Sequence, residues 1–195
     1  QLSESAIIVG IVAAAQYMPL LILTPFFGVF ADQFKPKKNA IVMHFILMFV
    51  AIILSILTFI DSMDIIYLVI LSLLYGVANS AYSPVRLALI PALVSTNQLS
   101  SAVAISSAGF NLSRFLGPGI AGYIVAVYGL GYAYLVNAVT YIPVIIILGF
   151  IKVKDLRNQQ GVGESFFSRL KEGLVYTLNH DLIKNVIIIA GISSF

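Results

Sequence analysis

Residues 6–31, AIIVGIVAAAQYMPLLILTPFFGVFA, form a run of 26 residues without one charged side chain. An α-helix rises about 1.5 Å per residue, so this run exceeds the roughly 20 residues that cross the hydrocarbon core of a bilayer. It ends at the charged segment DQFKPKK, residues 32–38. The pattern predicts a transmembrane helix that Gln16 interrupts and that a basic turn terminates.

The same pattern recurs along the chain, which is 60% hydrophobic and 10% charged. Soluble domains carry about 25% charged residues, so the composition excludes a soluble domain, and the absence of cysteine excludes a disulfide-rich one. We therefore predict an all-α, polytopic membrane helical bundle. Its five spans are expected at about residues 6–31, 40–60, 65–85, 102–127 and 132–151.

The last part of the sequence is different in character. Residues 152–183 are polar and are interpreted as a cytoplasmic linker that contains an amphipathic helix, and residues 184–195 as the truncated start of another span. The chain does not begin with Met, and its final ten-residue apolar run is too short to cross a bilayer. We expect a fragment that holds the second to sixth spans of a larger protein with two six-span halves.

Basic residues are distributed unevenly between the predicted loops. Ten of the 11 Lys and Arg residues fall in alternate loops, Arg86 among them, while the opposite side has only acids: Glu4, Asp61 and Asp64. The positive-inside rule places the basic loops in the cytoplasm, as in a multi-pass protein of the bacterial inner membrane. The basic residues do not form one stripe, so lipid and not nucleic acid is the expected partner.

The remaining cation, Arg114, lies inside the fourth span, where it costs about 2.5–3.5 kcal/mol on insertion scales. Ser107, Asn111 and Arg114 are spaced i, i+4, i+7 and share one helix face. Such a stripe is expected to face a wet cavity, which makes it a candidate substrate or proton pathway. The alternative is an interhelical clamp.

A second polar stripe lies on the third span, at Ser72, Tyr75, Asn79 and Tyr82. These side chains, like Gln16, either line a cavity or hydrogen-bond a neighbouring helix. His44 is interpreted as an interfacial polar residue, with a proton relay as the alternative.

The turn from Gly28 to Lys38 carries a recognisable motif. Gly28, Asp32, Lys37 and Lys38 resemble the loop between the second and third helices of the major facilitator superfamily, although Gln33 replaces the usual Arg. The resemblance implies a helical bundle that lacks its first helix, and a charge relay at a cytoplasmic gate. A solvated loop is the alternative reading of the charges alone.

A second motif lies after Arg114. Gly119 and Gly122 belong to a small-residue stripe suited to tight helix packing. The run Gly117-Pro118-Gly119-Ile-Ala-Gly122 also resembles the fifth-helix motif of superfamily exporters, with Ala121 in place of one Gly. Residues 82–94 resemble the multidrug, macrolide and siderophore exporter branch. These exporters often carry an Arg in the preceding helix, near a Gln-Gly pair, whereas this chain has Ser72-Leu-Leu-Tyr75-Gly76 at the corresponding place and no Arg. The proton-coupling role of that Arg is therefore not carried over, and Arg114 becomes the candidate.

The resemblance implies a secondary transporter that exports drug-, macrolide- or siderophore-like amphipathic small molecules by alternating access, in exchange for protons. It implies a monomer that needs no cofactor or metal, with the proton gradient as its energy source. Two alternatives remain open. One is a lysophospholipid or other lipid transporter of the same fold, and the other is a membrane-embedded enzyme, which would need clusters of His, Ser or carboxylate groups within the spans.

Overall fold

The computed structural model describes residues 6–31, 36–151, 175, 176 and 179. Its five long helices are α1 Ala6–Ala31, α2 Pro36–Phe59, α3 Ile65–Leu93, α4 Leu99–Tyr128 and α5 Leu130–Phe150. A 3-10 turn, Thr96–Gln98, connects α3 to α4. The described residues contain no strand, and the predicted all-α membrane bundle is confirmed. The predicted linker and final span lie outside the described residues, apart from three helical positions at 175, 176 and 179.

Four of the five helices, α1, α2, α3 and α5, are long and apolar enough to cross a membrane. Helix α4 has 30 residues and therefore the length, but its composition keeps it out of this set. Its first half contains five serines together with Asn111 and Arg114. Because such groups avoid lipid, α4 is the helix whose polar face most needs protein or water beside it.

Helices α2 and α3 extend furthest beyond their predicted limits. Helix α2 begins at Pro36 and not at residue 40, because proline suits the first helical position, where its missing N–H has no intrahelical acceptor. Helix α3 continues past residue 85 to Leu93, with Pro84 and Pro91 inside it. Membrane helices tolerate such prolines. Arg86, which the sequence analysis assigned to a loop, therefore lies on α3, about two turns before its end.

Short turns join neighbouring helices. Helix α2 ends in a Schellman motif, in which Ser62 N–H donates to the Leu57 carbonyl (3.1 Å) and Asp61 N–H to the Thr58 carbonyl (3.3 Å). Asp61 has a φ of 53°, a left-handed conformation that Asp adopts more readily than most side chains. Gly129, with a φ of 92°, alone separates α4 from α5.

Packing within the bundle is uneven. Helix α1 packs mainly on α3, and α2 packs on α5 and α3. A buried cluster of Ala40, Val85, Leu89 and Leu148 ties α2, α3 and α5 together. By contrast, α4 contributes no buried residue to the part of the chain that the structure describes. Its polar face is therefore open along most of its length.

Candidate transport site

One cavity of about 280 Å³ gathers several of the predicted site residues between α1, α2, α3 and α5. Gln16, Ser72 and Tyr75 line it together with Tyr134 and Asn137 of α5, and its remaining lining is apolar: Val12, Val50, Ala51, Leu54, Leu68 and Leu71. None of these lining side chains is charged. We call this space the neutral cavity, and its polar groups are suited to orient an uncharged or hydrogen-bonding ligand.

The neutral cavity supports the cavity-lining interpretation for Gln16, Ser72 and Tyr75. It does not include Asn79 or Tyr82, although both lie on the predicted stripe. Sequence reasoning missed Tyr134 and Asn137. Their i, i+3 spacing in an otherwise apolar span was the signal that could have found them.

A second cavity of about 370 Å³ lies between the C-terminal half of α3 and the first half of α4. Its polar lining comes from Arg86, Ser106, Ser107 and Asn111. Apolar side chains complete it: Leu87, Ile90, Pro91, Leu99, Val103 and Phe110. We call it the cationic cavity, because Arg86 gives it a fixed positive charge. It places Ser107 and Asn111 of the predicted α4 stripe beside a residue that the sequence analysis had assigned to a loop.

The Phe110 ring contacts one arginine on α3 and one on α4. The guanidinium carbon of Arg86 lies 4.7 Å from the centroid of the Phe110 ring, and that of Arg114 lies 5.7 Å from it. Both distances are within the range of a cation–π contact. The structure therefore joins Arg114 to Arg86 through one ring, a grouping that sequence spacing could not predict because the arginines are on different helices.

No carboxylate accompanies these cations in the described segments. The acids there are Asp61 and Asp64, in the turn before α3. At about 1.5 Å per helical residue, Arg86 stands roughly 30 Å from that turn. The electrostatic character of the α3–α4 cavity is thus set by arginine alone among the residues described.

The gate motif is described only in part. Asp32 lies outside the described residues, and a Cβ built at Gly28 meets open space. Lys37 Nζ donates to the carbonyl oxygens of Gly149 and Ile151, both at 2.8 Å. Lys38 is exposed. Lys37 thus satisfies carbonyls at the carboxyl end of α5, where a cation is also favoured by the helix dipole.

This contact makes Lys37 a structural clamp between α2 and α5. Lys37→Met is expected to lower stability by about 1–3 kcal/mol, because it removes hydrogen bonds from a charged donor. The measurement is the thermal midpoint of the purified protein in detergent. Lys38→Met is the matched control and should leave the midpoint nearly unchanged. Equal shifts for the two variants would contradict the clamp.

His44, which is interpreted from the sequence as interfacial, is buried inside the bundle with 5% of its surface exposed. Its ring packs edge-on against Tyr82 at 4.6 Å and Tyr141 at 5.8 Å between centroids. Nδ1 lies 2.7 Å from the Ala40 carbonyl oxygen. Because a carbonyl only accepts, Nδ1 carries a proton and donates to it, which leaves Nε2 as the nitrogen with a lone pair in the neutral ring.

The glycine motif of α4 has no close partner among the described residues. A Cβ built at Gly117, Gly119 or Gly122 finds no atom within 4 Å. Pro118 lies inside the helix without ending it. The packing role of this motif stays a prediction.

The described helices are apolar over most of their length and border two partly polar cavities. The family described as "Transmembrane secretion effector", MFS_3, matches residues 1–194. The chain belongs to this major facilitator family. The transmembrane secretion effector family is one of multi-pass membrane transporters.

Two curated relatives show what this member of the family is similar to. The staphyloferrin A transporter of Staphylococcus aureus is 30% identical over 139 residues, which cover 71% of this chain and 35% of that protein. Macrolide efflux protein A of Streptococcus pyogenes is 20% identical over 171 residues, 87% of this chain and 42% of the relative. The chain therefore spans less than half the length of these relatives. No solved structure matches it significantly.

Proposed function

We propose that this protein is a secondary exporter that moves amphipathic small molecules out of the cell by alternating access, in exchange for protons. The observation that carries the proposal is the pair of cavities. Each combines an apolar lining with a few polar groups, as an amphipathic ligand requires. The names of the two relatives, a siderophore transporter and a macrolide efflux protein, support the same substrate class.

Efflux by the full-length protein tests this proposal. Cells of a host without its own broad exporters are loaded with a macrolide, a siderophore and a lipophilic dye, and the rate of loss is followed with and without induction. Induction should accelerate the loss of at least one compound. No acceleration for any member of the panel, with the protein present in the membrane, would contradict the proposal.

Proton exchange requires a side chain that changes charge near neutral pH. Arg114 was the sequence-based candidate, but an arginine stays protonated in proteins and can act only as a fixed charge. His44 is buried, and an imidazole, unlike a guanidinium, can both take up and release a proton. We infer that His44 takes up the proton at Nε2 and that Arg114 acts electrostatically.

His44→Gln should uncouple export from the proton gradient, because glutamine keeps a polar group at the site but cannot titrate. In proteoliposomes, wild-type export is expected to accelerate at least about threefold when a proton gradient is imposed, whereas the variant should export at one rate with or without it. The measurement is initial substrate flux at matched protein amounts. A wild-type-like response of the variant would exclude His44 as the coupling group.

The proposed orientation places the basic loops in the cytoplasm and the α2–α3 turn outside. Ser62 is exposed in that turn, so a cysteine there should react with a membrane-impermeant maleimide added to intact cells. Labelling is read from the purified full-length protein with its other cysteines removed. Labelling only after the cells are permeabilised would reverse the orientation.

Membership of a transporter family favours transport over catalysis, the other class that the sequence left open. A lipid transporter of the same fold is the alternative within transport. It would show export of a lysophospholipid and no gradient-driven flux of the soluble panel compounds.

A further inference from the structure

Two arginines share one aromatic ring at the border of the cationic cavity. Arg86 of α3 and Arg114 of α4 lie 4.7 and 5.7 Å from the Phe110 centroid, so their guanidinium carbons are at most about 10 Å apart, the sum of the two distances. We call these two residues the arginine pair. Like charges this close repel each other, most strongly where water is scarce.

An interhelical clamp explains only half of this arrangement. The contact between Arg86 and Phe110 joins α3 to α4, which otherwise pack sparsely. Arg114 is on the same helix as Phe110, four residues later, so its contact with the ring adds nothing between the helices. The contact of Arg86 with Phe110 is enough for an interhelical clamp, and the positive charge of Arg114 repels that of Arg86.

The charges of the arginine pair are not neutralised within the described segments, whose two acids lie at the opposite end of α3. A cation within a membrane helix is costly unless it pairs with an anion or reaches water. An anion bound between or beside the guanidinium groups removes both the repulsion and the cost. Arginine suits a carboxylate or phosphate, because its planar fork can donate two parallel hydrogen bonds.

The cavity beside the pair offers surfaces for the rest of such a ligand. Ser106, Ser107 and Asn111 supply neutral hydrogen-bonding groups. Leu99, the first residue of α4, also lines it, and no side chain caps the amide groups of that first turn. Those amides favour negative charge. The opposite lining is apolar and comes from Leu87, Ile90, Pro91 and Val103. A ligand with an anionic head and an apolar body matches both parts.

We propose that the cationic cavity binds the carboxylate or phosphate of an amphiphile at the arginine pair, so that the exported substrate is an anionic amphiphile. The statement that the amphiphile is exported rests on the proposed function. The anion site itself does not rest on it. A cationic amphiphile is disfavoured by repulsion from both guanidinium groups. A neutral one leaves their charges unpaired.

Equilibrium binding tests the site with two probes that differ only in head charge. The full-length protein is placed in phosphatidylcholine nanodiscs and titrated with 12-(NBD-amino)dodecanoate or with its methyl ester, and NBD fluorescence reports binding. The acid should bind at least about tenfold more tightly than the ester, since a charge-assisted hydrogen bond has about that effect on affinity.

Variants assign the preference to the arginine pair. Arg86→Gln and Arg114→Gln should each weaken binding of the acid about tenfold and change that of the ester less than twofold, and Arg114→Lys should retain part of the acid preference. The control is Ser113→Ala, beside Arg114, whose hydroxyl already donates to the Gly109 carbonyl at 2.9 Å. Binding of the ester shows that each variant is folded. An equal loss of both probes, or no loss of the acid, would overturn the proposal.

Two further experiments distinguish an anionic substrate from an anionic lipid headgroup at the arginine pair. The titration is repeated in nanodiscs that contain phosphatidylglycerol. If this lipid abolishes the acid preference of the wild type, a resident lipid headgroup occupies the pair and the substrate assignment is wrong. Export of the acid is measured separately in vesicles. Arginine-dependent binding without export contradicts the proposed function but supports the anion site, whereas export without head-charge preference contradicts the anion site.

Discussion

Export by the Arg114→Ala variant is expected to fall below about a tenth of the wild-type rate. The variant loses one of the two cations beside the cationic cavity, and a loss of about 1.4 kcal/mol in substrate interaction is already tenfold. Insertion should be intact or improved, because the change removes a charge that is costly within a membrane helix. The measurement is initial efflux rate divided by the amount of protein in the membrane.

Ser113→Ala is the matched control on the same helix turn and should export at the wild-type rate. Arg114→Lys adds a test of mechanism. If only charge matters, lysine restores most of the rate, and if paired hydrogen bonds matter, it restores little. Normal export by Arg114→Ala would remove Arg114 from the transport pathway.

Gly76→Ala is expected to disrupt the contact between α1 and α3. A Cβ built at Gly76 would lie 2.3 Å from the Gln16 carbonyl oxygen and 3.2 Å from that of Ala15. Both atoms belong to the backbone of α1, so no side-chain rotation relieves the overlap and the helices must separate. We expect a loss of about 3 kcal/mol of stability, at the upper end for overpacking. The same separation displaces Gln16 in the neutral cavity.

Gly10→Ala is the matched control, because a Cβ built at Gly10 meets no atom within 4 Å. Alanine is also the better helix former, so this change should be neutral or slightly stabilising. Thermal unfolding in detergent and the fraction of monodisperse protein are the measurements. A Gly76→Ala variant as stable as Gly10→Ala would show that α1 and α3 do not approach each other at this point.

Hydropathy predicted the number and approximate positions of the helices, because a span needs a long apolar run whatever its neighbours are. It failed at the end of α3, where Pro84, Arg86 and Pro91 look like a loop in the linear sequence. The helix continues through them because a membrane helix can tolerate the backbone groups that proline leaves without partners. The error mattered for function, since it hid Arg86 among the loop charges.

Periodicity predicted which polar residues share a helix face, but not which faces meet. Ser72 and Tyr75 do join Gln16 in the neutral cavity, whereas Tyr82 of the same stripe packs against His44 instead. Lys37 resembled a gate residue, and its contacts with the α5 carboxyl end depend on a pairing of α2 with α5 that local sequence does not encode. Tertiary pairing is the information that one sequence lacks.

The two cavities offer different chemical groups to a ligand. The neutral cavity offers hydroxyl and amide groups, and the cationic cavity offers fixed charge next to an apolar wall. His44, on α2, lies in neither lining, but its ring contacts Tyr82 of α3, the helix that both cavities share. The proposed proton uptake at His44 would then act on substrate binding through the packing of α3.

Proton-driven export is measured most directly by flux into everted membrane vesicles that contain the full-length protein. The vesicle interior is acidified by an imposed gradient in the absence of ATP, and uptake of an anionic amphiphile is followed before and after addition of a protonophore. If proton movement drives export, uptake depends on the protein and stops when the protonophore collapses the gradient. Uptake that requires ATP, or that continues unchanged after the protonophore, would contradict it.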